Sequence, residues 1–172
     1  MVAAVVLLAS ACSPTFNWRE VPMGADAELV ALLPCKPDRA QRDLPLGNQS
    51  VAVDMIGCEA GGATFAVARV GARDMTQARD WLVAWRTQVH AQWAGGRVEE
   101  RPASVPRASE SPPPIRIDAS SSDEGAQKQQ LHQLWFAHQH RNGNVALYQA
   151  TVLGTPSSAE AIPTFFEGLH LP

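Results

Sequence analysis

LHQLWFAHQH (residues 131–140), RNGN (141–144) and VALYQATVL (145–153) read as two strands around a tight turn. Asn142-Gly143 at the centre suits a type I′ turn, whose two central residues take positive φ. In that register Trp135 lies opposite Ala150 and Ala137 opposite Tyr148. Strand parity sends His132, Leu134, Phe136, His138 and His140 to one face. A hairpin of this kind sets the class, because strands joined by tight turns pair antiparallel and need helices to cover them.

Upstream, the same period recurs. Glu28 to Pro34 is a short apolar strand that stops at proline. Ala40 to Leu46 and Ser50 to Gly57 follow, joined by a turn at Leu46-Gly47-Asn48-Gln49. Glu59 to Gly62 is another turn. Ala63 to Val70 is a strand with Phe65 and Val67 on one side and Ala66, Ala68 and Val70 on the other. The period then changes. Ala78, Trp81, Leu82, Trp85, Val89 and Trp93 fall at helical spacing, which predicts an amphipathic helix over 76–94. Asp74 is its N-cap and Gly95-Gly96 its stop. Three tryptophans on one stripe admit two readings, a ligand shelf or a cover for the sheet, and core burial by such rings favours the cover.

Residues 101–114 hold five prolines and read as a loop. Ile115 to Ala119 is a further strand, Ser120 to Gln129 a polar loop, and 157–168 a closing helix capped by Thr155 or Ser157. The expected fold is α+β, an antiparallel sheet covered by one long and one short helix. One domain spans 26–172.

The chain has 172 residues, 45% hydrophobic and 18% charged, with a net charge of -3. That length builds one core. Its 14 basic against 17 acidic residues lack the surplus of a nucleic-acid binder, so no nucleic-acid partner is expected.

The opening run, residues 1–11, is uncharged and apolar, too short to cross a bilayer but suited to the core of a signal peptide. Leu8-Ala9-Ser10-Ala11-Cys12 resembles the lipobox of bacterial lipoproteins. Ala9 stands where that motif commonly has leucine, and no Lys or Arg precedes the run. The resemblance implies a signal peptide at 1–11, lipid on Cys12, a tether over 12–25 and attachment to the membrane through that lipid. Ser13 after the cysteine implies the outer membrane of the cell envelope. With Cys12 lipidated, Cys35 and Cys58 remain, and in an oxidising space such a pair forms a disulfide.

Leu32-Leu33-Pro34-Cys35-Lys36-Pro37, then Arg39, then Gly61-Gly62-Ala63-Thr64-Phe65-Ala66-Val67-Ala68, resembles small envelope lipoproteins with a PsbP-like α/β sandwich over about residues 26–170. That resemblance implies binding and assembly roles rather than one chemistry, with an envelope protein as partner.

No G-x-S-x-G, H-E-x-x-H, P-loop or G-x-G-x-x-G pattern is present in the sequence. The chemically interesting cluster is histidine. His138 and His140, two apart on one strand, could share a zinc or copper ion if a third ligand came from Gln149 or a carboxylate. The plainer reading is sheet-surface histidines with ordinary hydrogen bonds. Asp54 reads as solvated, and Asp38, Arg39, Arg42 and Asp43 as a charged edge that blocks strand pairing. The leading expectation is therefore a lipid-anchored, non-enzymatic binding module without a cofactor. The alternative is a metal-binding envelope enzyme or carrier.

Overall fold

A computed structural model describes residues 14–122 and 129–172. The elements in chain order are β1 (Arg19–Met23), β2 (Leu29–Leu33), β3 (Asp38–Leu46), β4 (Gln49–Ala60), β5 (Ala63–Ala72), α1 (Met75–Gln92), β6 (Arg97–Pro102), β7 (Ile115–Ser120), β8 (Gln130–Gln139), β9 (Val145–Gly154), α2 (Ala161–Glu167) and β10 (Leu169–His170). The fold is α+β, and both sheets are antiparallel. Seven strands run in the order β3-β4-β5-β9-β8-β7-β6, and three in the order β1-β2-β10. The single sheet expected from the sequence is thus two sheets. Its second layer was illegible because β1 carries Pro22 and β10 has two residues.

The two sheets face each other across one apolar layer. Leu29, Ala31 and Leu33 of β2 meet Phe65, Phe136, Tyr148 and Phe165 there. The other face of the large sheet lies under α1, whose Trp81, Leu82, Trp85 and Val89 cover Trp135, Ala137 and Leu147. Trp85 sits edge-on to Trp135 at 4.8 Å. Trp81 and Trp85 cover the sheet, as core burial by such rings favoured, while Trp93 at the end of the stripe is only half-buried. Asp74 caps α1 by accepting from the Gln77 amide at 2.8 Å.

Four sequence expectations need correction. The 140–144 turn has a three-residue loop: Gly143 N–H donates to His140 O at 2.9 Å and His140 N–H to Asn144 O at 2.8 Å. Gly143 alone in the loop has positive φ, +88°. A type I′ turn needs two such residues, so the register moves by one. Trp135 faces Gln149, Ala137 faces Leu147, and Phe136 stacks on Tyr148 at 5.0 Å.

Residues 97–102, read partly as loop, form β6, which pairs with β7. Nearly every β6 side chain is exposed, so no apolar alternation marks it. Arg86 and His90 of α1 hold it by gripping Glu100. The closing helix begins at Ala161 rather than 157, and the segment before it is pinned to the β4–β5 turn by the Ser157 amide, which donates to Gly61 O at 2.7 Å.

Residues 16–25, expected in the tether, are folded. Phe16 and Trp18 stack at 6.1 Å and both meet Phe65 edge-on. β1 follows, paired along its length with β2. The expected signal peptide and Cys12 lie outside the described residues, as does part of the polar loop at 123–128.

Cys35 and Cys58 are disulfide-bonded, with Cα atoms 6.0 Å apart. Cys35 follows β2 and Cys58 lies in β4, so the bond ties the small sheet to the large one. The charged run at 38–43 lies on β3, at an edge of the large sheet, exposed as expected.

Candidate functional site

The three histidines share one face of β8 or its end, toward the small sheet, yet they do not converge. His132 Nδ1 lies 2.6 Å from Asp118 Oδ1 on the neighbouring strand. His138 donates through Nδ1 to the Arg107 carbonyl at 3.0 Å, since a carbonyl only accepts. The His138 and His140 rings meet edge-on at 5.2 Å. Gln149, named above as a third ligand, lies on the α1 side of β9 opposite Trp135. Parity separates it from the histidines. Among the described residues no three His, Cys, Asp or Glu side chains are grouped to hold a metal ion.

What His140 does join is a charged cluster at one end of the space between the sheets. Gln41, Asp54, Arg69, Tyr148 and Phe136 are successive cross-strand neighbours on β3, β4, β5, β9 and β8. Gln41 donates to Asp54 Oδ1 at 2.7 Å. Arg69 reaches Asp54 Oδ2 at 3.4 Å and donates through Nε to Glu28 Oε2 at 2.6 Å. A second Arg69 nitrogen touches the same Glu28 oxygen. Asp54, read as solvated, is therefore half-exposed and paired.

Burial opposes the Arg69 charge, but hydrogen bonding and attraction from Glu28 outweigh it and raise the guanidinium's pKa. Burial pushes the neighbouring Tyr148 hydroxyl up to about 12. Glu28 adds to this, and nearby Arg69 opposes it without reaching hydrogen-bond geometry. That hydroxyl and His140 Nε2 are both enclosed without a hydrogen-bond partner among the described residues, the latter 3.8 Å from Glu28 Oε2.

In front of this cluster opens a cleft of about 660 Å³. Glu28, Arg69, Arg73, His140, Arg141 and Asn142 line it. Gly71 contributes open space, because a Cβ there would meet nothing within 4 Å. Of its three guanidiniums, Arg69 is paired with Glu28 and Asp54, and Arg73 lies 3.3 Å from Asp74, so neighbouring carboxylates offset much of the positive charge. Arginines at such a mouth can meet an acidic group through charge-assisted hydrogen bonds. No serine, threonine, cysteine or lysine is among its described lining residues.

A second cluster lies toward the other end of the sheet. Asp118 accepts from Arg116 Nε at 2.9 Å and from His132, with Arg101 at 3.3 Å. Burial works against its ionised form, but hydrogen bonds from His132 and Arg116 win and hold the carboxyl at about 2. Arg116 also lies 4.0 Å over the Phe166 ring, beside a groove of about 380 Å³.

Sequence reading missed Glu28, Arg69, Tyr148, Arg116 and Asp118. One signal was available: Arg69 continues the inward parity of Phe65 and Val67, so a charge stood on a core face. No protein-family model and no curated protein matches this chain in sequence. No helix of the described residues is long and apolar enough to cross a membrane.

Proposed function

We propose that this chain is a lipid-anchored cell-envelope protein, a PsbP-like sandwich that acts as a non-enzymatic binding or assembly module. The observation that carries the reading is the Cys35–Cys58 disulfide. A structural disulfide persists in oxidising compartments and is rare in a reducing cytosol. It also leaves Cys12 as the one remaining cysteine, in the lipobox-like setting. Two acyl chains or more on that residue make attachment stable, where a single chain binds reversibly. Ser13 favours the outer membrane, and the arginine-lined cleft supports an acidic group on an envelope protein as what the module holds.

Intact mass of membrane-extracted protein is the test. The expected species begins at Cys12, carries acyl groups and lacks two hydrogens for the disulfide. Labelling by palmitate should vanish in Cys12→Ala. Label that persists there, or an unmodified chain beginning at Met1, overturns the anchor.

A further inference from the structure

The α1 face of the large sheet is only partly covered. Beyond the end of α1, the three central strands β5, β9 and β8 present an open groove of about 500 Å³. Its floor is small, Ala66 and Ala68. Its polar groups are Thr64, Gln92, Gln129, Gln133, Gln149 and Thr151, and Trp93 and Leu153 also line it. Among the described residues no ionisable side chain lines it, in a chain that is 18% charged. The solvent face of an antiparallel sheet is ordinarily polar and charged. Here the described residues in the middle of the sheet are neutral and partly apolar, and Leu153 is left 43% exposed.

The hydrogen-bonding groups are pre-set. Gln133 is 6% exposed, donates to Thr151 Oγ1 at 3.3 Å and accepts from Trp135 Nε1 at 3.2 Å. With Thr151 Oγ1 accepting from Gln133, its hydroxyl proton is directed elsewhere. The half-buried Gln149 and Thr64 side chains line the groove and make no hydrogen bond among the described residues, which leaves their amide and hydroxyl groups for a ligand.

We infer that this groove binds an uncharged polyhydroxylated ligand, a neutral oligosaccharide. Hydroxyl groups both donate and accept, which matches amides and threonines and gains nothing from fixed charge. The flat apolar face of a sugar ring matches the half-buried Trp93 indole that lines the groove. Adjacent strands lie about 4.8 Å apart, close to the advance of one hexose in an extended chain. An acidic ligand belongs instead to the arginine-lined cleft, which opens between the sheets.

The test is calorimetric titration of the full-length chain, in a detergent without sugar headgroups, with maltohexaose, cellohexaose and chitohexaose. At least one should bind. Gln149→Leu and Thr64→Val should each weaken that binding about tenfold, or about 1.4 kcal/mol, with the thermal midpoint unchanged. Arg73→Ala and Arg141→Ala should leave it intact. No binding of any of the three overturns the inference, as does affinity that survives the Gln149 and Thr64 changes or falls with Arg141. Tighter binding of an uncharged Gly-Ser-Gln peptide overturns it too. So does binding that appears only when residues 123–128 are replaced by Gly-Ser, which would give the groove to the chain's own segment.

Discussion

Asp118 shows how much one side chain organises. Its carboxylate meets Arg116, His132 and Arg101, from three strands, and is only a quarter exposed. With its carboxyl held at about 2, below the ordinary value near 4, the ionised form is favoured in the folded state. A depressed pKa gives stability that is present above the unfolded value and is lost as pH falls toward 2. Asp118→Asn should therefore cost about 1–2 kcal/mol at neutral pH, after discounting for partial exposure. The gap between variant and wild type should close between about pH 4 and pH 2. Urea midpoints at pH 7 and pH 2.5 check this, and an equal gap at both would refute the ion-pair account. None of this network was legible in the sequence. Parity assigns Asp118 and His132 to faces, but not the strand that lies beside them.

At the scale of elements, legibility followed periodicity and local chemistry. α1 was readable because six apolar positions repeat at helical spacing between an Asp74 cap and a Gly95-Gly96 stop. β5 was readable because alternation leaves no other solution. β6 was not, because an edge strand exposed on nearly all its side chains has no hydrophobic pattern. The β8–β9 hairpin was recognised, but its register was missed by one residue. Asn-Gly serves both a two-residue turn and a three-residue loop, and only the latter aligns Phe136 with Tyr148. Gly143 carries that choice at φ +88°, in open space. Gly143→Ala should cost about 1–2 kcal/mol from the left-handed backbone alone, and Gly143→Asn distinctly less. Denaturant unfolding of both variants decides it. Equal costs would mean that the loop does not depend on a left-handed residue there.

The molecule as a whole is two sheets held by an apolar layer and one covalent bond. The Cys35–Cys58 bridge closes a loop with a sequence separation of 23 and ties the small sheet to β4. Loop-closure entropy for such a bridge is about 3 kcal/mol in the chain-entropy model. A Cys35→Ala/Cys58→Ala double variant should lose about that much. Reductant should lower the unfolding midpoint of the wild type and leave the variant unmoved. A reductant effect of equal size on both would show that the bond is not what reductant acts on.

By itself the sequence determined the class, most strands, the long helix, its tryptophan cover and the cysteine pair. Each of these is written in residues close together, or in residue types whose chemistry admits few uses. Tertiary structure alone decided the division into two sheets, the pairing of Arg69 with Glu28 across 41 positions, and the groove that the described residues form beyond α1. A strand's pattern says which side chains turn inward. It does not say what covers them, because that depends on elements brought alongside only when the chain folds.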